Sequence, residues 1–319
     1  MRILAIRLAR FGDIVLLLPA LRALKARLPS SHLTFLTDAR WAPLAEMCPA
    51  IDEVLPVDRI RIRDGSYVRA LADIYRLGSD LRRRKFDVAI DFHGFRETNL
   101  LAFWSRAPQR LGLKRADQSS LGFCFNLPPV LEDKRLHVSE MFLKVVQSFA
   151  PENGAEASAP PLVISPGAMQ WAKENVPPRP FATLYIDAPV KERVWPAERF
   201  VALSEHLVGT RDMDVIVLTG SARTLPALPQ RVRVLAGLTI PQLAAVIASG
   251  RILVSNDTGP MHLGPALGIP TVGIFSVGFP VHFRPTGPAD AYVQGNPIES
   301  IPVKDIIETV ERVWGASAR

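Results

Sequence analysis

Cysteine is scarce in this chain: 319 residues hold two, Cys48 and Cys124. They lie far apart and form no CxxC pair, which removes a disulfide framework or cysteine-built metal site and fits a reducing cytoplasm. Long apolar runs are missing as well. No stretch approaches the ~18–20 apolar residues needed to span a bilayer. Any membrane association is therefore expected to be peripheral, at an anionic inner-membrane surface. The opening residues imitate a secretory leader, but Arg10 and Asp13 interrupt the leucine-rich run and Arg22 and Lys25 follow it. Blocks of like charge are rare too. Lys and Arg exceed Asp and Glu by 38 to 31, a formal +7, yet only Arg82-Arg83-Arg84-Lys85 forms a run, and it reads as a solvated helix end. The excess favours polyanions such as nucleotide phosphates or phosphorylated lipid heads; with the charge scattered, no nucleic acid partner is expected. Internal repeats, Walker loops, HExxH and GxSxG motifs are all absent.

What the chain does contain is an alternation of short apolar runs with amphipathic stretches. Strands are expected at 3–6, 33–37, 53–57, 88–91 and 110–113, then at 182–186, 215–218, 232–235, 252–254 and 271–275, with helical periodicity between them. Such βα alternation calls for parallel sheets covered on both faces, an α/β fold. The length suits two domains. Residues 151–161, polar and proline-bearing without periodicity, are the best linker. Residues 1–150 and 162–319 are then the two domains, with the final amphipathic helix, 301–314, expected to cross back onto the first.

The most informative stretch is 252–276. The apolar run Ile252-Leu253-Val254 is followed at once by Ser255-Asn256-Asp257-Thr258, then by Gly259-Pro260 and a helical segment closed by Gly268-Ile269-Pro270. The first turn of a helix presents unpaired N–H groups and partial positive charge, which suits phosphate. Thr258 and Gly259 would let phosphates approach, Asp257 could accept from sugar hydroxyls, and His262 sits one turn in. The competing reading makes Asp257 or Thr258 a simple helix cap. Gly12-Asp13 occupies the same position near the chain start, between strand 3–6 and an apolar-periodic helix, and Asp13 too reads either as a cap or as a reactive carboxylate.

Asp257-Thr258-Gly259-Pro260-Met261-His262-Leu263, with Ala266, Pro270 and Phe275, resembles the donor motif of the lipopolysaccharide heptosyltransferases, glycosyltransferase family 9. Phe11-Gly12-Asp13-Ile14 with Leu18-Pro19-Ala20-Leu21 is similar to that family's opening motif, and the likeness covers nearly the whole chain. The resemblance implies a GT-B fold, two Rossmann-like domains facing across a cleft. It implies inverting, metal-independent transfer of heptose from ADP-heptose to a Kdo or heptose of the lipopolysaccharide inner core, with no cofactor. It makes Asp13 the general base, with Gly12 and His93 on the acceptor side. It makes Arg193, two residues before Trp195-Pro196, the cation that neutralises the donor diphosphate, with Lys191 as competitor and Trp195 as packing. Asp257, Thr258, Gly259, His262, Gly220, Leu238 and Thr239 complete the donor side. His137 and Glu140 resemble a family pair whose role is open.

Several positions depart from the family pattern: Leu16 for a histidine, His93 for a glutamine, Glu97 for a lysine, and Asp187-Ala188-Pro189 for small or hydroxyl residues. No acid follows Gly220 where a ribose contact is implied; Thr224 stands near that place. A dinucleotide-dependent oxidoreductase is disfavoured because no GxGxxG follows the first strand. A non-catalytic sugar-nucleotide binder of the same fold stays open, since fold does not guarantee chemistry.

Overall fold

The computed structural model describes residues 1–64, 67–152, 154, 162–221 and 225–317. Thr224 and most of the expected linker (153 and 155–161) lie outside the described residues. The first half forms strands β1 (Arg2–Arg7), β2 (His32–Asp38), β3 (Glu53–Val57), β4 (Val88–Asp91), β5 (Gln109–Lys114) and β6 (Val130–Leu131). They pair in parallel, in the order β3-β2-β1-β4-β5-β6. The central strands are buried along almost their whole length, as a sheet covered on both faces requires. The second half repeats the plan with β7 (Phe181–Tyr185), β8 (Asp214–Thr219), β9 (Val232–Ala236), β10 (Ile252–Asn256), β11 (Thr271–Phe275) and β12 (Ala291–Gln294). Its order is β12-β11-β10-β7-β8-β9. Counted from its own first strand, that is again 3-2-1-4-5-6, the order of dinucleotide-binding sheets.

In such sheets the chain moves off in opposite directions from the first and fourth strands, leaving a crevice at their carboxyl ends. Here those pairs are β1/β4 and β7/β10. The helix Phe11–Arg27 leaves β1 at once and runs unbroken through Pro19, whose ring faces solvent. Its apolar face (Ile14, Leu17, Leu18, Leu21 and Leu24) is almost wholly buried. Leu16 joins that buried set. His137 and Glu140 turn out to be a helix cap: the His137 side chain accepts from Ser139 N–H, and Glu140 Oε2 accepts from His137 N–H at 3.1 Å.

The chain separates into two compact units, Met1–Val163 and Ile164–Arg319. Leu162 and Val163, expected to begin the second domain, belong to the first, where Val163 N–H donates to Met47 O at 2.7 Å. The final helix is Val303–Ser317. It lies against β11, β12 and the helix Ala197–Arg211, and Ile306, Val310 and Val313 bury their side chains in the second unit's own core. Its apolar stripe faces inward on that sheet. Among the described residues no helix is long and apolar enough to cross a membrane.

One side chain ties the second crevice shut at its base. Asn256 is fully buried; its Nδ2 donates to Ile186 O at 2.7 Å and its Oδ1 accepts from Trp195 N–H at 3.2 Å. Trp195 is itself buried, edge-on to Phe200, with Nε1 donating to Ile301 O at 3.0 Å. Packing is thus its role, as the sequence indicated. Replacing Asn256 by Leu would leave a buried donor and a buried acceptor unpaired. Urea unfolding should report a loss of roughly 3 kcal/mol, because each orphaned group costs about 1–3 kcal/mol.

Candidate functional site

The first unit's crevice is built on a buried arginine. Arg7 ends β1 with a side chain only 2% exposed. Its Nη1 donates to Phe92 O at 2.6 Å, its Nη2 pairs with Asp13 Oδ1 at 2.7 Å, and its guanidinium lies 4.5 Å from the Phe142 ring. Asp13 stands in the first turn of the helix Phe11–Arg27 beside the buried Gly12. Burial pushes its carboxyl up, but Arg7 outweighs that and holds it below the usual carboxylate range; Arg115 and the Arg10 backbone N–H add to this. The carboxylate is therefore ionised, and its side chain keeps 27% of its surface exposed.

Across the crevice, Asp91 closes β4. Fully buried, it accepts from the N–H groups of His93 (2.8 Å) and Gly94 (3.1 Å), from Thr98 Oγ1 (2.9 Å) and from Asn99 Nδ2 (2.7 Å). Burial nevertheless raises its pKa. This carboxylate shapes the loop that carries His93. Gly94 adopts φ +76, and a Cβ there would lie 2.5 Å from Leu113 O, so glycine is required for the turn. His93 is buried: it is 4% exposed, and its Nδ1 has no hydrogen-bond partner among the described residues. Burial, reinforced by Arg7, Arg115 and Arg59, lowers its pKa to about 2, so the ring is neutral. Arg115 adds a donor to His93 O at 2.8 Å and pairs with Glu132. Glu97 lies exposed in the first turn of the helix Arg96–Trp104.

The second crevice gathers most of the expected donor-side residues. Asp257 follows β10 directly and is 4% exposed. Arg193 closes the 3-10 turn Lys191–Arg193, and its Nη1 lies 3.0 Å from Asp257 Oδ2. The angle is wrong for a hydrogen bond, so Asp257 Oδ2 and Arg193 Nε remain buried atoms without hydrogen-bond partners among the described residues. Burial raises the Asp257 pKa and Arg193 only partly offsets it. Gly278, on the loop after β11, comes so close that a Cβ there would collide with this carboxylate. Lys191 is exposed at the far end of the same turn. The helix expected after Thr258 is instead a 3-10 turn, Gly259–His262, running into a single α-turn, Leu263–Ala266. Gly264 and Pro265 explain the brevity. Thr258 makes no side-chain cap bond, which removes the cap reading for it, and His262 is 6% exposed at the end of the turn.

Further along the sheet, Gly220 follows β8, and its N–H donates to Asp187 Oδ2 at 2.7 Å. Leu238, half-buried, follows β9 and Gly237 (φ +64). Thr239 is an N-cap: its hydroxyl and N–H both bond Gln242 Oε1, at 2.8 and 3.0 Å. The carboxyl ends thus run β10, β7, β8, β9 in one row, carrying Asp257, Asp187, Gly220 and Leu238. Arg7, Asp91 and Arg115 were missed as site residues. An arginine ending a buried strand and a carboxylate followed by Phe-His-Gly were visible signals for the first two; Arg115 had none.

Two units of this strand order, each with polar groups gathered at its switch point, define a nucleotide-handling α/β protein of the GT-B class. Residues 74–309 match glycosyltransferase family 9 (heptosyltransferase), and the chain belongs to that family of glycosyltransferases. Lipopolysaccharide heptosyltransferase 2 of Salmonella typhimurium is 25% identical over 313 residues, covering 88% of this chain and 84% of its own. Lipopolysaccharide heptosyltransferase 1 of Pseudomonas aeruginosa is 25% identical over 289 residues, covering 86% and 78%. The fold matches the E. coli ADP-heptose heptosyltransferase II with a TM-score of 0.81 at 19% identity, covering all of both chains. A family 9 glycosyl transferase of Veillonella parvula matches at 0.79 and 20%, covering 99% and 97%.

The neutral buried imidazole has a measurable signature. An unfolded histidine takes up a proton near pH 6.5, whereas folded His93 resists until about pH 2. Below pH 6.5 the unfolded chain holds the extra proton, so stability falls as pH falls, by ~1 kcal/mol per pH unit. His93→Gln should flatten this slope in urea unfolding measured from pH 7 to pH 5.

Proposed function

We propose that this glycosyltransferase moves heptose from ADP-heptose to a Kdo or heptose of the lipopolysaccharide inner core, with inversion and without a metal. The observation that carries the donor side is the row of strand ends in the second unit. Three strand spacings cover about 14 Å, the scale of a nucleotide sugar laid across them. Diphosphate falls at Arg193 and the Thr258-Gly259 turn, with Lys191 near, and the nucleoside runs toward Leu238 and Thr239. Asp257, with an unpartnered buried oxygen, and His262 take the sugar and its link to the diphosphate. An Arg–Asp pair with unspent hydrogen-bonding capacity is one whose remaining partners a ligand supplies.

The acceptor side belongs to the first unit. Asp13 takes the proton from the acceptor hydroxyl as that oxygen bonds to the anomeric carbon. The carbon–oxygen bond to the diphosphate breaks, its electron pair leaves with ADP, and Arg193 compensates the growing charge. Gly12 lets the acceptor approach Asp13, and His93 presents a neutral ring beside it. Membrane contact, if made, is peripheral and electrostatic. Names of relatives supply the particular sugars; the charge layout supports nucleotide and acceptor positions.

Asp13→Ala should lower kcat by roughly 10²–10⁴-fold while the dissociation constant of ADP stays unchanged, read by coupled ADP release and calorimetry. Full turnover in that variant removes Asp13 as base. ADP release that requires no acceptor would reduce the protein to a hydrolase, and none with any acceptor to a binder.

Arg7→Met separates the roles of the pair. With Arg7 gone, burial is uncompensated and the Asp13 pKa rises. The acid limb of kcat/KM against pH should then shift upward from its wild-type position, and the rate at neutral pH should fall.

A further inference from the structure

Singly exposed apolar side chains are ordinary, but a contiguous group of them is not. Three rings gather on one side of the first unit. Tyr75, on the helix Tyr67–Arg83, is 78% exposed; Phe103, on the helix Arg96–Trp104, is 40% exposed; Phe123, in the 3-10 turn Gly122–Cys124, is 65% exposed. Phe123 stacks edge-on against Phe103 with ring centroids 5.7 Å apart. Tyr75 and Phe103 line one groove, together with Ile74 and Trp104. The two helices approach closely here, since a Cβ on Gly78 would stand 3.2 Å from the Trp104 ring.

The charge of this groove has one sign. Arg82, Arg106 and Arg110 line it, and among the described residues no acidic side chain does. Arg110 gives its Nε to Cys124 O at 2.8 Å and its Nη1 to Ala107 O at 2.6 Å, and its guanidinium lies 5.7 Å from the Phe103 ring, so its bonds leave the positive charge in place. Within the basic run at 82–85, Arg84 is met by Asp80 and Glu53 and Arg83 by Asp80, whereas Arg82 faces the groove. A polyanion without hydrocarbon would satisfy these arginines and leave the rings in water. A lipid headgroup layer satisfies both, because rings sink toward the acyl boundary while guanidiniums on apolar stems stay among the phosphates. We propose that this face docks the protein on an anionic phospholipid bilayer, with Tyr75, Phe103 and Phe123 entering the headgroup region and Arg82, Arg106 and Arg110 meeting phosphate. Ile74 and Trp104 also wall an apolar cavity of about 420 Å³ that reaches Leu8, next in the chain to Arg7. Docking therefore sets the crevice of Asp13 near the lipid in which an acceptor sugar would be carried. Only that last placement rests on the acceptor reading above; the docking face does not.

Co-sedimentation of the full chain with vesicles of phosphatidylcholine, alone or mixed with phosphatidylglycerol, tests it. Wild type should bind the mixed vesicles and leave the neutral ones largely unbound. Arg82→Gln with Arg106→Gln should weaken that binding roughly thirtyfold, the scale of two arginines lost from an anionic surface. Tyr75→Ser with Phe123→Ser should weaken it about tenfold or more and remove the part that survives high salt. Lys304→Gln with Arg312→Gln, the same loss of charge on the exposed side of the final helix, should bind as wild type does. An equal loss in that control would reduce the effect to net charge and overturn the proposal. Undiminished binding by the groove variants would overturn it too, as would failure of wild type to bind the mixed vesicles. A dimer in sedimentation that the Tyr75 and Phe123 substitutions abolish would assign the face to a second copy of the chain instead. Vesicle binding is read without sugar or nucleotide, so failure of the donor and acceptor reading would leave this result standing.

Discussion

Charge held at the end of a buried parallel strand has to be compensated within a few ångströms, and both halves of this chain are arranged around that requirement. In the first, the guanidinium of Arg7 is almost wholly removed from water and is met by Asp13, by a backbone carbonyl and by an aromatic face. In the second, Asp257 is buried against Arg193 with less complete compensation. The difference is chemically meaningful. Arg7 holds its carboxylate ionised although its own Nε has no hydrogen-bond partner among the described residues, whereas in the Asp257–Arg193 pair both members keep an unbonded atom.

The same topology appears twice, and the strand order explains why polar groups gather where they do. In a 3-2-1-4-5-6 sheet the first and fourth strands are the most buried and their carboxyl ends open onto the crevice. Backbone groups exposed there need fixed partners. Asp91 provides them in one unit by collecting four donors, and Asn256 in the other by bridging β7 and β10. These are residues whose side chains replace a missing stretch of ladder.

Much of this was legible in the sequence because parallel strands are nearly continuous apolar runs and turns declare themselves with Gly, Pro and Asp. The first five strands of each sheet in chain order were placed within a residue or two. The sixth strand of each sheet was not: β6 has two residues, and β12 alternates between half-buried and exposed as an outer strand does. The polar cluster Asp257, Thr258, Gly259 and His262 was legible because its members follow one another along the chain. Hydrogen bonds between strand ends were not, since Asp187 and Gly220 are 33 positions apart and only the sheet order brings them together. Thr239 caps the helix Ile240–Ser249, and its capping partner, Gln242, was three residues away in plain view.

Hydrogen bonds hold the Trp195 segment at both its backbone and its indole. Its backbone is held by Asn256 of β10, its indole by the carbonyl of Ile301, and Arg199 bonds that same carbonyl. Ile301 leads directly into the helix Val303–Ser317. The loop that carries Arg193 is therefore welded to a point some hundred residues downstream. Regions joined in this way open as one cooperative unit in amide exchange. Slow-exchanging protons in the final helix would thus report on how rigidly the loop carrying Arg193 is held, although the two never adjoin in the chain.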